Sequence, residues 1–355
     1  MPKLRAIDAT GGAAFVDDLR SAWDAGDAVL PVDTRLPAPA RARLLERLGV
    51  DLPVEPGDAV VVATSGTTGD PKGVVLTHDA VRASAVAIHR RLGADPTVDS
   101  WLACLPLSHV GALAVVMRAV VTDTPVVVHD GFDPAAVMQS GATLTALVPT
   151  ALQRIDPSSF RAILLGGSTL PTDVPANVVT TYGMTETGSG VVYDGVALDG
   201  VDVKIVDGEI VVRGPMLLRC YRSVDGELDP RDPDGWFATG DGGSLDGGGR
   251  LVVDGRLSDM IITGGENVWP APVEEALRAH PGVADVAVAG RADPDWGERV
   301  VAFVIPSAPA SPPSLADLRA TVKEVLPAFC APKELVLVDA LPRTAIGKVR
   351  RRALA

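Results

Sequence analysis

Apolar strands that alternate with helices constrain this chain more than any other feature of its sequence. The segment AVVVAT (residues 59–64) is apolar on both faces, and the segment from His78 has helical spacing and ends at Gly93. The alternation continues through four strands and two helices, at residues 101–106, 111–120, 125–129, 134–140, 144–149 and 162–167. Strands buried on both faces that alternate with helices are typical of layered α/β proteins. The sequence therefore predicts an α/β fold.

The remaining segments predict two domains of unequal size. Amphipathic helices are predicted at Ala13–Trp23 and Pro39–Leu48, ahead of the first apolar strand. From Val201 the pattern alternates as in half-buried strands, and a new unit with its own helices and strands begins near Leu257. Because 355 residues exceed one ordinary core, we expect a large α/β domain with a β-rich distal part (residues 1–256) and a small, mobile α+β domain (residues 257–355).

Charge and composition exclude several classes of protein. The net charge of −13 argues against a general nucleic-acid binder, which neutralises phosphates with a broad basic surface. The first residues lack the apolar run of a secretory signal, and charged residues interrupt the apolar stretch Val110–Val128, so no membrane insertion is expected. The three cysteines lie far apart, without metal-ligand spacing. We expect a cytoplasmic protein with a small-molecule partner, and the sequence leaves open whether it forms a homodimer.

A ten-residue segment rich in Gly, Ser and Thr separates two predicted strands. It reads Thr64-Ser65-Gly66-Thr67-Thr68-Gly69-Asp70-Pro71-Lys72-Gly73. Its glycines allow backbone N–H groups to approach an anion, its hydroxyls add donors, and the lysine charge can reach a phosphate. It is not a Walker loop, because Asp-Pro separates the lysine from the preceding glycine. The segment predicts a phosphate-binding loop.

This loop resembles the signature of the adenylate-forming superfamily, which contains acyl-CoA synthetases, peptide-synthetase adenylation domains and luciferases. Six further motifs follow in the order found in that family: LPLSHVGAL (residues 105–113), ILLGGSTLP (163–171), TTYGMTETG (180–188), GWFATGD (235–241), GRLSDMIITGGENVWPAPVEE (255–275) and PRTAIGKVRR (342–351). The resemblance implies the adenylate-forming fold, shortened at its amino terminus. It also implies a ligase that uses ATP, Mg²⁺ and coenzyme A to convert a carboxylic acid into an acyl-CoA, AMP and diphosphate through an acyl-adenylate.

The resemblance implies roles for individual nucleotide-binding residues. The β- and γ-phosphates would be bound by the loop residues Thr64, Ser65, Gly66, Thr67, Thr68, Gly69 and Lys72. Tyr182, beside Gly183, would stack on adenine, and the opposite wall of the adenine slot would be Gly166, Gly167 and Ser168. Asp241 would accept hydrogen bonds from the ribose, with Arg256 nearby. Thr185 would contact the α-phosphate, and Glu186 would ligate Mg²⁺, a role suited to a hard oxygen donor.

Three further sites follow from the same resemblance. Lys348 occupies the position of the family's catalytic lysine, whose ammonium would bridge the substrate carboxylate and the α-phosphate. His109 matches a position that lines the acyl pocket and orients the substrate carboxylate. The loop Gly264-Gly265-Glu266 would approach the thiol-bearing arm of coenzyme A.

The chain departs from larger relatives in three places. Only the segment up to Val60 precedes the phosphate loop, so an amino-terminal subdomain is trimmed, which favours a compact acid over a long fatty chain. The hinge position, often Asp or Lys in relatives, is Ser258. Cys220-Tyr221 stands where a Gly-Tyr pair is common, at an expected turn.

In size and local sequence the chain is most similar to the short actinobacterial o-succinylbenzoate-CoA ligases of menaquinone biosynthesis. A second substrate carboxylate would be costly to bury unpaired, and Arg118 or the backbone around Ser189 and Gly190 could receive it. Three alternatives remain: a compact acyl-CoA synthetase for another aryl or short-chain acid, a non-catalytic nucleotide-binding relative, and a free-standing adenylation domain that acts on a separate carrier. The presence of Lys348, Glu186 and Thr185 argues for catalysis.

Overall fold

The computed structural model describes residues 1–65, 71–167, 173–343 and 349–354. The helices and strands of the first part of the chain are β1 (Leu4–Asp8), α1 (Ala13–Asp24), β2 (Ala28–Val32), α2 (Ala38–Leu48), β3 (Asp58–Ser65), β4 (Pro71–Thr77), α3 (His78–Leu92), β5 (Trp101–Ala103), α4 (Val110–Val121), β6 (Val126–Val128), α5 (Pro134–Gln139), β7 (Leu144–Leu147), α6 (Pro149–Leu152), β8 (Ala162–Leu165), β9 (Val178–Met184), β10 (Ser189–Tyr193) and β11 (Val196–Ala197). Those of the second part are β12 (Asp202–Val206), β13 (Glu209–Arg213), β14 (Cys220–Ser223), β15 (Gly226–Leu228), β16 (Phe237–Leu245), β17 (Leu251–Arg256), β18 (Ile261–Thr263), β19 (Glu266–Val268), α7 (Pro270–Arg278), β20 (Val283–Asp293), β21 (Gly297–Pro306), α8 (Leu315–Val325) and β22 (Glu334–Leu337).

The chain divides into two compact units. The first contains residues 1–204, 211–238 and 247–251, and the second contains residues 205–210, 239–246 and 252–355. The division passes through the four-stranded sheet with the order β12-β13-β16-β17. The predicted boundary after Arg256 stays a prediction, since the last segment of the second unit begins at Val252.

The first unit contains a six-stranded sheet that the sequence predicted only in part. Its order is β1-β2-β3-β4-β14-β15, with β1, β2 and β3 parallel and β4 antiparallel to β3. The opening segment was expected to be helical, and its two helices are present, but β1 and β2 were missed. Strand β2 is completely buried, and Pro31 within it argues against a central strand because proline cannot donate to the ladder.

A seven-stranded sheet forms the other half of the first unit, with the order β11-β10-β9-β8-β7-β5-β6. Strands β6, β5, β7, β8 and β9 are parallel to their neighbours, and β10 turns back antiparallel to β9. Helices α3 and α4 supply long buried faces, and α3 ends at Gly93 in the left-handed conformation, as predicted. The carboxyl ends of β8 and β9 therefore lie side by side.

The second unit has its own hydrophobic core. Its sheet has the order β19-β18-β21-β20, and β22 pairs with β21. Helices α7 and α8 contribute Val273, Leu277, Leu318 and Val322 to one buried cluster. A smaller cluster includes Phe303 from β21. The prediction of a large α/β part followed by a small α+β part is confirmed. Within the described ranges, every helix is too short or too polar to cross a lipid bilayer.

A buried ion pair joins distant segments of the six-stranded sheet. The carboxylate of Asp58, at the start of β3, accepts hydrogen bonds of 2.8 Å from both Nε and Nη2 of Arg219, which precedes β14. The Asp58 side chain is only 1% exposed, whereas Arg219 also pairs with the half-buried Glu227. Breaking a buried pair leaves an uncompensated charge and is far more costly than breaking a surface pair.

We expect Asp58→Asn to destabilise the folded protein by about 3 kcal/mol, because Arg219 loses its bidentate partner. The matched control is Asp51→Asn, which breaks the exposed Lys3–Asp51 pair and should cost less than about 0.5 kcal/mol. Thermal unfolding followed by circular dichroism measures both. Equal midpoints for the two variants would contradict a stabilising role for the buried pair.

Candidate active site

The phosphate-loop segment connects two antiparallel strands. Thr64 at the end of β3 pairs with Lys72 in β4, and its Oγ1 donates to the Lys72 carbonyl oxygen at 3.3 Å. Ser65 closes the strand and pairs with Pro71. The predicted phosphate ligands Gly66, Thr67, Thr68 and Gly69 lie outside the described residues. The described ends nevertheless bring Thr64 and Lys72 together at the mouth of this hairpin.

The Lys72 side chain lies near the ring of Tyr221, which binds the carboxylate predicted to ligate magnesium. Its Nζ is 5.3 Å from the centroid of the Tyr221 ring, and Tyr221 Oη donates a hydrogen bond of 2.9 Å to Glu186 Oε1. Tyr221 thus links the phosphate-loop lysine and the predicted metal ligand. Magnesium in phosphoryl-transfer sites is commonly held by one or two carboxylates together with the substrate phosphates, and this single carboxylate beside a phosphate loop fits that pattern.

Tyr221 is a site residue whose environment the sequence did not predict. Cys220-Tyr221 was expected in a turn, but both residues belong to β14. This strand pairs antiparallel with β4, and Tyr221 lies opposite Val74, two residues after Lys72. The turn assignment was wrong because the pairing partner is about 150 residues away in sequence, and local residue types do not reveal such a partner.

Glu186 lies in a tight turn between β9 and β10. Residues Thr185–Thr187 form one 3₁₀ turn, and Gly188 follows with φ of +68°. The buried hydroxyl of Thr187 donates toward the carbonyl oxygens of Met184 and Ser189, at 2.9 and 2.6 Å, and accepts from Met184 N–H. At Gly183 a Cβ would lie 2.2 Å from the Ser189 carbonyl oxygen, so only glycine fits. The turn therefore presents Thr185 and Glu186 from a restrained backbone.

The predicted adenine slot is described on two of its sides. Gly166 and Gly167 follow β8, and Tyr182 lies in the adjacent strand β9. A Cβ at Gly166 would lie 2.7 Å from Thr181 Oγ1, and Gly167 has φ of +121°, so larger residues do not fit this wall. Ser168 lies outside the described residues. The structure thus places Gly166, Gly167 and Tyr182 at neighbouring strand ends.

His109 begins α4 and lies near a carboxylate from the amino-terminal segment. It is the residue before the first turn of the helix, and its carbonyl accepts from Leu113 N–H at 3.1 Å. A side-chain hydrogen bond from Arg35 lowers the pKa of Asp33, and His109 adds a smaller electrostatic contribution in the same direction. The amino-terminal segment therefore supplies one charged neighbour, Asp33, to His109.

Arg118 is the most unusual charged residue of the first unit. It lies on α4 and is 2% exposed, and its Nη2 donates to Ser189 Oγ at 3.3 Å. Its Nε and Nη1 have no hydrogen-bond partner within the described part of the chain. Burial lowers the pKa of the guanidinium, although arginine stays charged in proteins. The two candidates for a second substrate carboxylate, Arg118 and the start of β10, therefore lie next to each other.

A small cavity adjoins Arg118 and has room for about one water molecule. Its walls include Ser84 from α3, Met117 from α4, Gly188 and Met216. The cavity thus extends from the buried cation to the end of the Thr185–Thr187 turn. Methionine side chains are flexible, so this space can enlarge without movement of the backbone.

The second unit contains the predicted ribose-binding pair. Asp241 is buried in β16, and its Oδ1 lies 2.8 Å from Arg256 Nε. Arg256 Nη1 also donates to the Thr239 carbonyl oxygen at 3.1 Å. The prediction that Arg256 lies near Asp241 therefore agrees with the geometry, while their contact with ribose stays a prediction.

The predicted coenzyme A loop is a two-residue hairpin turn between β18 and β19. Gly264 and Gly265 have φ of +63° and +85°, the left-handed values that such a turn requires at both positions. Gly264 packs against the Trp296 ring, where a Cβ would lie 2.6 Å from a ring carbon. Glu266 begins β19 and is exposed. Lys348, the predicted catalytic lysine, lies outside the described residues, and Ser258 lies in the 3₁₀ turn Leu257–Asp259.

Each unit thus carries its own group of predicted residues. The first unit brings together Thr64, Lys72, Thr185 and Glu186 around Tyr221, and places Gly166, Gly167, Tyr182 and His109 at strand or helix ends. The second unit holds Asp241, Arg256, Gly264, Gly265 and Glu266. Within the described ranges, no cluster of three or more His, Cys, Asp or Glu side chains could hold a metal ion without substrate oxygens.

Comparison with known proteins identifies the family. Residues 49–222 match the model of the AMP-binding enzyme family, and residues 272–348 match that of the AMP-binding enzyme C-terminal domain. A probable 2-succinylbenzoate–CoA ligase of Mycobacterium tuberculosis is 43% identical over 338 residues, which cover 88% of this chain and 87% of that protein. The 2-succinylbenzoate–CoA ligase of Listeria monocytogenes is 37% identical, over 83% of this chain and 69% of the relative.

A solved structure shows the same relationship. The o-succinylbenzoate CoA synthetase of Bacillus subtilis, in complex with the acyl-adenylate intermediate OSB-AMP, aligns with a TM-score of 0.87 at 30% identity, and the alignment covers 99% of this chain and 88% of that chain. The same synthetase in complex with ATP and magnesium gives equal values for TM-score and identity. The predicted resemblance is confirmed, and the chain belongs to the family of AMP-binding, adenylate-forming enzymes.

Proposed function

We propose that this enzyme converts 2-succinylbenzoate, ATP and coenzyme A into 2-succinylbenzoyl-CoA, AMP and diphosphate. It is an AMP-forming acid–thiol ligase, as its relatives are by name. The observation that carries the choice of acid is Arg118, a buried cation with two unpartnered nitrogens among the described residues. A dicarboxylic acid uses one carboxylate for activation and leaves the other to pair with such a cation.

The cost of burying Arg118 supports this choice. A charge removed from water without a partner costs several kcal/mol, and the described residues offer it one side-chain hydroxyl and no carboxylate. A monocarboxylic acid would leave that cost in place during the reaction. The second carboxylate of 2-succinylbenzoate would accept a charge-assisted hydrogen bond from Nε or from Nη1, the two nitrogens that the described residues leave without a partner.

Activation of the other carboxylate uses the Lys72–Tyr221–Glu186 group. In our proposal Lys72 binds the β- and γ-phosphates with Thr64 and the remaining loop residues, and Thr185 donates to the α-phosphate. Glu186 would hold Mg²⁺, which when bound neutralises phosphate charge as diphosphate leaves. His109 would orient the attacking carboxylate. Adenine would stack on Tyr182 against Gly166 and Gly167, and Asp241 with Arg256 would bind the ribose.

The second half-reaction transfers the acyl group from the adenylate to the thiol of coenzyme A. We assign Lys348 to adenylate formation and the Gly264-Gly265-Glu266 turn to the approach of the thiol. A single small site cannot hold both at once, so we propose that the carboxy-terminal part of the chain rotates about Ser258 between the two steps. We also place the enzyme in the cytoplasm, and size-exclusion chromatography with light scattering would settle whether it forms a homodimer.

We expect the purified enzyme to prefer 2-succinylbenzoate over analogues that lack one carboxylate by about 100-fold or more in kcat/KM. Suitable analogues are 3-benzoylpropionate, which keeps the succinyl carboxylate, and 2-butyrylbenzoate, which keeps the ring carboxylate. Coenzyme A-dependent AMP formation is the assay. If benzoate or a fatty acid reacts as fast as 2-succinylbenzoate or faster, the choice of 2-succinylbenzoate as substrate is wrong, while the ligase assignment stands.

The same assay tests Arg118 through Arg118→Met, which removes the charge but keeps much of the buried volume. We expect kcat/KM for 2-succinylbenzoate to fall by about 100-fold, because the charge-assisted hydrogen bond to the second carboxylate is lost, with little change for the better analogue. The control is Arg90→Met on α3, which breaks an exposed pair with Asp199. Equal losses for both acids would show that Arg118 does not recognise a carboxylate.

Lys348→Ala should slow adenylate formation by roughly 100- to 1,000-fold, because removal of one donor to a developing charge costs about 3 to 4 kcal/mol. Thioester formation from supplied acyl-adenylate should be much less affected. Diphosphate exchange and single-turnover thioester formation separate the steps, with Lys323→Ala on the exposed face of α8 as control. Equal loss in both half-reactions would contradict the role of Lys348. An absence of exchange with any acid in the unmodified enzyme would favour a non-catalytic relative.

A further inference from the structure

The indole of Trp101 lies against the buried guanidinium of Arg118. Arg118 Cζ is 4.5 Å from the centroid of the Trp101 ring, and Trp101 is completely buried at the start of β5. This distance is within the range of cation–π interactions, which are strongest with tryptophan and away from water. An indole face against the guanidinium limits where this group can move, so the ring restricts the positions that Nε and Nη1 can take.

His89 on α3 holds the indole from its edge. Trp101 Nε1–H donates a hydrogen bond of 3.1 Å to His89 Nε2, and the two rings are nearly parallel, with an interplanar angle of 25°. Burial, together with the nearby charge of Arg118, lowers the pKa of His89 to about 4. The imidazole is therefore neutral near pH 7, and Nε2 keeps the lone pair that accepts the indole proton.

The described residues around Arg118 supply no anion that neutralises its charge. Burial raises the pKa of Tyr193 to about 12, so its buried hydroxyl keeps its proton and cannot serve as an anion. At the end of α4, Thr122 Oγ1 donates to the Arg118 carbonyl oxygen at 2.8 Å and fixes the helix terminus. The backbone of Arg118 and the position of its guanidinium are thus both restrained, while Nε and Nη1 have no partner within the described ranges.

We propose that Trp101, anchored by His89, is a positioning residue that holds the Arg118 guanidinium ready for the second carboxylate of the acid. The inference rests on the proposed function and adds to it a source of specificity away from the substrate. A free arginine side chain loses rotamer entropy when it binds, and an indole that restrains the guanidinium beforehand reduces that loss. The contribution of Trp101 therefore depends on the presence of a second carboxylate.

Trp101→Phe tests this role, because phenylalanine keeps a buried aromatic ring but has no N–H for His89. We expect KM for 2-succinylbenzoate to rise about tenfold with a smaller change in kcat, while KM for ATP and kcat/KM for the single-carboxylate analogues stay unchanged. His89→Leu should also raise KM for 2-succinylbenzoate without changing kcat/KM for the single-carboxylate analogues, because the indole N–H loses its acceptor. The matched control is Trp23→Phe, which removes an indole hydrogen bond of 2.8 Å to the Ala59 carbonyl oxygen.

The possible outcomes are distinct. If folded Trp101→Phe changes the kinetic constants for 2-succinylbenzoate and its analogues equally, or changes neither, Trp101 is a packing residue and the inference is overturned. Should Trp101→Phe fail to fold, His89→Leu decides by the same comparison, supported by calorimetric titration of 2-succinylbenzoate with a non-hydrolysable ATP analogue. An unmodified enzyme without preference for 2-succinylbenzoate would overturn the proposed function, and this inference with it.

Discussion

A guanidinium buried without a carboxylate partner among the described residues is costly, and in our proposal this group binds the acid, while the surrounding elements compensate for part of the cost. Arg118 lies on a helix whose residues Ala112–Ala119 are all buried, so its charge cannot reach water by a change of rotamer. The indole face of Trp101 and the hydroxyl of Ser189 stabilise the charge in part. The remaining imbalance makes the site selective, because an anion that fills it gains more than it would at an exposed arginine.

The β9–β10 hairpin connects this cation to the phosphate chemistry. Ser189, which accepts from Arg118, lies three residues after Glu186, and the Thr187 hydroxyl ties the turn between them to the backbone on both sides. Tyr221 then connects Glu186 to the neighbourhood of Lys72. A short series of contacts therefore connects Arg118, which we propose to bind the acid, with Glu186 and Lys72, which we propose to bind the nucleotide. A reaction between two anions requires such preorganisation, because the two negative charges repel each other.

The sequence predicted those parts whose signal is local. Apolar strands, helices with glycine ends and the motif residues near Glu186 and Asp241 were found from pattern or from family resemblance. Strand β1 was missed, and so was β2, where Pro31 hides a fully buried strand. The turn assigned to Tyr221 was wrong because its partner strand β4 is distant in sequence. The sequence named Arg118 as a candidate. It could not show that this side chain is buried with two unpartnered nitrogens, because that environment is formed by α3, β5 and β10 together. The roles of Gly66–Gly69 and Lys348 still rest on resemblance alone.

Strands β1 and β2 protect one edge of the six-stranded sheet. Strand β3 is apolar and long, and without β2 beside it an unprotected edge would invite pairing with other chains. Strand β2 is itself fully buried and needs β1, where Leu4 is completely inaccessible. The outer edge of β1 is then covered by the segment after α2, through hydrogen bonds between Leu4 and residues 51 and 52 and a bridge from Lys3 to Pro53. Removal of β1 would therefore expose the buried strand β2.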